Sequence, residues 1–197
     1  MDFMMEIPDA MSGDDCDNII SLFEKRTDLH YKGQTSNGAN NRIDTSIKED
    51  TEILINEDLF NDTEWSSVLS SLVKAIGTSV DEYKEKFSDG NKIGIDSLRA
   101  WQIEQNANIQ RFYPGQGFKK WHCESGSREF SARVLVWMLY LNTVTDKGGT
   151  EFYFQDKTFK AERGKMVIWP PFWTHFHRSE VSPTQTKYII TGWFEFS

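Results

Sequence analysis

Cysteine is scarce in this chain: Cys16 and Cys123 are the only two in 197 residues. Two thiols cannot supply the multi-bridge framework that staples small secreted folds, so both are expected to be reduced and partly buried. Long apolar runs are missing as well. No stretch approaches the ~18 residues that cross a bilayer as a helix, and no membrane span is predicted. The opening MDFMMEIPDAM lacks the basic start and long apolar centre of a secretory leader. A soluble, intracellular, cytoplasmic protein is the expectation. Basic charge is short too: 22 Lys and Arg face 30 Asp and Glu, for a net charge of −8, and no basic run offsets the deficit. That balance argues against a partner held through its phosphate backbone, so neither nucleic acid nor a membrane is expected as partner.

What the chain does have is aromatic side chains, 14% of its residues with seven Trp, enough for a packed β-rich interior. Its length fits one domain spanning 1–197, with N-terminal helices and supporting strands over 1–100 and the core over 101–197. Residues 14–26 read as a short helix, acidic at its start and basic at its end. Trp65, Val68, Leu69, Leu72, Val73, Ile76, Val80, Tyr83 and Phe87 form one stripe at helical period, with Asp62 or Thr63 as cap and Gly77 as a point of bending. Between these helices, Gly33–Asn41 reads as a polar loop, either a lid or a plain connection, followed by strands near 42–47 and 52–55. The second half is strand after strand: 101–105, 108–113, 132–141, 151–155, 165–169, 174–178 and 187–196, punctuated by Gly, Pro, Asp and Asn. Gly148 and Gly149 read as turn glycines. Strands so spaced, without intervening helices, predict an antiparallel sandwich or barrel in a β-rich α+β chain.

The chemistry concentrates in WHCES and WTHFHRSE. In an extended strand, side chains two apart share a face, so His122 and Glu124 can grip one ion while Trp121 and Cys123 turn toward packing. A distant histidine would complete two imidazoles and one carboxylate, the set that holds non-haem Fe(II) and leaves positions open for cosubstrate and oxygen. His175 and His177 both offer themselves. On the last strand, Lys187, Ile189, Thr191 and Trp193 share a face, with Tyr188, Ile190, Gly192 and Phe194 opposite. An inward ammonium among Ile and Trp is costly without an anion, and a carboxylate cosubstrate would satisfy it, with the Thr191 hydroxyl adding a donor. An edge lysine reaching water is the plain alternative. His30 reads as a surface histidine.

From RFYPGQGFKKWHCES through RVLVWMLYLNTVTDKGGTEF and GKMVIWPPFWTHFHRSE to TKYIITGWFEF, the chain resembles the prolyl-4-hydroxylase-like iron(II)/2-oxoglutarate dioxygenases. The resemblance covers roughly the last 90 residues and rests on four blocks in the right order and spacing. It implies a double-stranded β-helix (jelly-roll) core with helices on one outer face. It also implies Fe(II) and 2-oxoglutarate, with ascorbate as an accessory reductant, and a metal set of His122, Glu124 and His177. His177 is preferred over His175 because the family's distal histidine precedes its basic anchor by about ten residues; His175 then stands behind the ligands or faces substrate. Most of the family has Asp where this chain has Glu124, and that carboxylate favours hydroxylation over halogenation. Lys187, Tyr140, Tyr113 and Thr191 are the implied cosubstrate contacts. The implied reaction is hydroxylation of a C–H bond with release of succinate and CO2. A prolyl residue of a peptide is the candidate substrate and O2 the co-reactant. The alternatives are a free amino acid or other small molecule as substrate, or a non-catalytic jelly-roll binding protein.

Overall fold

A computed structural model describes residues 1–36, 41–89 and 93–197. Its centre is the strand Arg133–Tyr140, whose eight residues are all buried. Such a run has no polar face because both of its faces are covered. Leu135, Trp137 and Leu139 pack toward the helices, while Val136, Met138 and Tyr140 pack with Phe152, Phe159 and Trp169 inside the barrel. Arg133–Tyr140 pairs antiparallel with Lys187–Phe196 on one side and Met166–Trp169 on the other. The eight-stranded sheet continues outward through Met5–Ile7 at one edge and through Ala107–Phe112, Thr51–Ile55 and Tyr31–Lys32 at the other, with Trp101–Ile103 beside the end of Lys187–Phe196. A smaller sheet of Lys157–Phe159, Thr150–Phe152 and His177–Ser179 stands apart in hydrogen bonding. Two antiparallel sheets enclosing an aromatic interior form the expected jelly-roll core, and the first half of the chain contributes strands directly to the larger sheet.

The helices cover that sheet's other face. Gly13–Lys25 is capped by Ser12, whose hydroxyl accepts from the Asp15 N–H at 3.1 Å. Ser66–Phe87 buries Val68, Leu69, Leu72, Ile76, Val80, Tyr83 and Phe87, as the stripe predicts. Val73, included in that stripe, is instead exposed, and Gly77 causes no break. The start of this helix is held by the Asp62 carbonyl, which accepts from the Trp65 and Ser66 N–H groups at 3.1 and 2.9 Å; no side chain caps it. A short helix at Glu57–Asn61 was not legible beforehand. Among the described residues, no helix is long and apolar enough to cross a membrane.

Several predicted strands are shorter than expected. The 174–178 segment splits into a 3-10 turn at Trp173–His175 and a strand at His177–Ser179. The 151–155 segment leaves the sheet after Phe152. At 42–47 the strand lasts only through Arg42, paired with Thr35–Ser36, and the chain then turns at Asp44. The predicted loop is thus in part a hairpin, and its centre, 37–40, lies outside the described residues. Gly148 sits at φ 82°, as a turn glycine can.

Two glycines make opposite predictions. A Cβ on Gly192 would lie 2.3 Å from the ring of buried Trp137. Gly192→Ala should therefore destabilise the fold by about 1–3 kcal/mol through overpacking. Nothing lies within 4 Å of a Cβ on helical Gly77, so Gly77→Ala should stabilise by about 0.5–1 kcal/mol. Urea melts of the two variants should move to opposite sides of wild type.

Candidate active site

His177 opens its strand opposite Phe152, and His122 is tied to it by an isolated antiparallel bridge with N–H to carbonyl distances of 3.0 and 2.9 Å. Glu124 does not continue a strand, contrary to the period-two expectation. Its N–H donates to the Pro171 carbonyl at 2.9 Å and the chain turns there. The turn also brings Cys123 onto the cavity wall, where packing had been expected. Trp121 packs edge-on against Tyr153 and beneath the Arg178 guanidinium.

The three side chains still converge. One ligand atom from each of His122, Glu124 and His177 lies within 4.8 Å of the others. Glu124 Oε1 is 3.4 Å from His122 Nε2 and 3.3 Å from His177 Nε2. The opposite ring nitrogens are engaged elsewhere: His122 Nδ1 meets the Lys120 carbonyl at 2.9 Å, and His177 Nδ1 meets the His175 carbonyl at 3.0 Å. A carbonyl only accepts, so Nδ1 carries the proton in each ring and Nε2 presents a lone pair. Two lone pairs and a carboxylate oxygen pointing at one another suit a cation between them, with each imidazole oriented through its other nitrogen as metal-bound histidines are. Phe118 stacks on His122 at 3.6 Å and 9°, fixing that ring's plane. Burial, and then His177, lower the His122 pKa. For Glu124, burial alone would raise the pKa, but when the two imidazoles are protonated their hydrogen bonds and charge outweigh it and hold the carboxyl well below its usual range; a metal ion would take the place of those Nε2 protons. These residues fit an Fe(II) ion.

The triad opens on a cavity of about 720 Å³, which Lys187, Thr191, Ile189 and Trp193 also line, as their shared strand face predicts. Three lysines are buried among the described residues: Lys48, Lys165 and Lys187. Lys48 is paired with Asp50 and Glu52, and Lys165 with Glu6 and Glu162. Among the described residues, Lys187 Nζ has neither an ion-pair nor a hydrogen-bond partner. It rests 5.1 Å from the centre of the Phe112 ring. Burial, partly offset by Glu180, lowers its pKa to about 8. A buried, unpaired ammonium facing a cavity is a seat for an anion.

The two tyrosines sit differently from what the resemblance implies. Tyr113 is exposed and absent from the cavity wall; Phe112, one residue earlier, faces inward over Lys187, so alternation sends Tyr113 out beside Arg111. Tyr140 is fully buried, with its hydroxyl 2.7 Å from Thr150 Oγ1 and 3.3 Å from the Phe159 carbonyl. It is Thr150 that reaches the cavity. His175 turns away from the cavity: its Nε2 donates to the Asp2 carbonyl at 2.8 Å, and it serves His177 only through its own carbonyl. His30 is half-buried, not a surface residue, with Nε2 donating to the Phe23 carbonyl at 2.8 Å. Sequence reasoning missed Phe118, Thr150 and Arg133; the last is the one charged residue of an otherwise apolar strand and was the one available signal.

A search of curated proteins returned no match. The chain is similar in structure to a prolyl hydroxylase from Trichoplax adhaerens, solved with a hypoxia inducible factor oxygen degradation domain peptide fragment. The TM-score is 0.71 at 16% identity, covering 99% of this chain and 84% of that one. It is also similar to a Pseudomonas putida prolyl-4-hydroxylase (0.66 at 13%, covering 100% and 94%). A viral collagen prolyl hydroxylase from Paramecium Bursaria Chlorella virus-1 gives 0.63 at 13%, covering 99% and 97%. At such identities the likeness establishes the fold. The family model of the 2OG-Fe(II) oxygenase superfamily matches residues 107–195, the stretch that contains the three converging side chains and Lys187. Over residues 107–195, 89 of its 197, the chain is thus similar to the 2OG-Fe(II) oxygenases.

Proposed function

We propose that the chain hydroxylates a prolyl residue of a peptide, with His122, Glu124 and His177 holding Fe(II) and Lys187 holding the far carboxylate of 2-oxoglutarate. The observation that carries this reading is the unpaired Lys187 ammonium on the same cavity wall as the three converging ligands. When bound, iron and 2-oxoglutarate supply the oxidation. One atom of O2 goes into the succinate formed with CO2, and the other into the substrate C–H bond.

The chain's own residues set the stage for that chemistry. The two Nδ1–H groups lock the imidazoles by donating to backbone carbonyls. Lys187 neutralises the cosubstrate's distal carboxylate, and the Thr191 and Thr150 hydroxyls line the same space. Met138, Trp169 and Ile189 make that part of the wall apolar, which limits water around the reacting atoms. Elsewhere the wall is polar, with Tyr31, Asn108 and Gln110, and suits the amide groups of a peptide. The peptide carried by the Trichoplax relative supports the same class.

The test supplies Fe(II), ascorbate and 2-oxoglutarate, and compares proline-containing peptides with free proline and other amino acids. Succinate formation together with a peptide product heavier by one oxygen atom is expected. Oxygen incorporation confined to free amino acids would replace the peptide reading. Absence of succinate under every condition would defeat the dioxygenase assignment itself.

A further inference from the structure

A glutamate can grip a metal through one oxygen or two, and in this chain its second oxygen is already engaged. Glu124 Oε1 faces the two histidines. Oε2 receives the Trp193 indole N–H at 3.1 Å and an Arg133 guanidinium N–H at 3.3 Å. Neither donor is free to wander. The guanidinium lies 3.7 Å from the centre of the Trp193 ring, donates through Nε to Glu104 Oε2 at 3.2 Å, and donates through Nη1 to the Glu124 carbonyl at 3.2 Å. The strands bearing the two donors are neighbours, with Val136 paired to Trp193 and Arg133 to Glu195.

We propose that Arg133 and Trp193 are positioning residues that keep Glu124 a one-oxygen ligand. The proposal rests on the reading of His122, Glu124 and His177 as metal ligands and deepens it. Its consequence is a matter of counting. An octahedral ion with three single-atom protein ligands keeps about three open positions, whereas a two-oxygen glutamate leaves about two. A chelating 2-oxo acid takes two, so only the one-oxygen arrangement leaves a place for O2. The clamp also settles which oxygen serves the metal, because two N–H donors facing Oε2 repel a cation there.

Mn(II) titrated into the full chain, with water-proton relaxation as readout, counts the exchangeable waters on the bound ion. Wild type should hold about three waters, and Arg133→Gln/Trp193→Phe about two, because the freed Oε2 swings onto the metal. Mn(II) affinity should stay within about tenfold of wild type, since no ligand has been removed. An unchanged water number in the double variant overturns the clamp. Should the double variant fail to fold by circular dichroism, Trp193→Phe decides alone: a measurable drop is expected, and the wild-type number overturns the proposal. Glu124→Ala separates the two levels of the argument. If it binds Mn(II) as wild type does, the ligand reading fails. If it loses Mn(II) while the clamp variants keep the wild-type water number, only the clamp fails.

Discussion

His122→Ala, Glu124→Ala and His177→Ala should each abolish turnover and lower Fe(II) affinity by more than about 100-fold. That bound follows from the outer partners of metal ligands, whose loss alone costs about 10–100-fold; removal of a ligand must cost more. The three side chains are held by separate constraints: a backbone bridge for His122 and His177, and the Pro171 carbonyl for Glu124. Each alanine therefore removes one ligand without dragging the others out of place. His175→Ala is the matched control. Its ring nitrogens are occupied by Thr174 and the Asp2 carbonyl, and only its backbone carbonyl serves His177. That variant should keep its iron. Anaerobic Fe(II) titration with circular dichroism as the folding check decides the matter. Iron lost in His175→Ala but kept in His177→Ala would reverse the choice of the third ligand.

Lys187→Ala should spare Fe(II) binding yet raise the 2-oxoglutarate requirement about 30- to several-thousand-fold, since losing one partner of a buried charge pair costs on the order of 2–5 kcal/mol. The other two buried lysines among the described residues already have carboxylates, so neither is free to substitute. Lys187→Arg should be intermediate, because the guanidinium keeps the charge but needs more room beside Phe112. A pH dependence follows from the same group. With its pKa lowered to about 8 by burial, Lys187 is protonated at and below neutrality and loses its charge as pH rises through that value. A bound carboxylate stabilises the charged form and raises the pKa in the complex. The 2-oxoglutarate affinity of wild type should thus be flat below pH ~8 and fall by about tenfold per pH unit above it, where each unit removes a further tenfold of the competent form. Lys187→Ala should show no such fall. A wild-type affinity that stays level through alkaline pH, or an alanine variant that binds normally, would remove Lys187 from the site.

The parts of this molecule that were legible in advance are those carried by period. Lys187–Phe196 stays extended over ten residues, so period two alone places Lys187, Ile189, Thr191 and Trp193 on the cavity face. The helix Ser66–Phe87 announced itself in the same way. His122 and Glu124 were legible from residue type and spacing, whereas the choice of His177 over His175 came from the family resemblance. What stayed hidden depends on distance in sequence or on single-residue parity. Trp193 and Arg133 meet Glu124 only because two neighbouring strands bring them there. Tyr113 lost its expected place by one residue, as Phe112 took the inward position. Tyr140 points into the barrel as expected, but its hydroxyl stops at Thr150, and a contact of that kind leaves no trace in a strand pattern. The strand expected at 174–178 broke because Phe172 and His175 close a local turn, with the His175 N–H donating to the Phe172 carbonyl at 2.9 Å.

The central claim is that one cavity holds both Fe(II), on His122, Glu124 and His177, and 2-oxoglutarate, against Lys187. Anaerobic titration of 2-oxoglutarate into the Fe(II)-loaded protein tests it most directly, because chelation of the metal by the 2-oxo acid produces a metal-to-ligand absorption band. The account predicts a saturable band in wild type, its midpoint shifted steeply upward in Lys187→Ala, and no band in His177→Ala. A band absent from wild type, or one that persists unchanged in both variants, would contradict it.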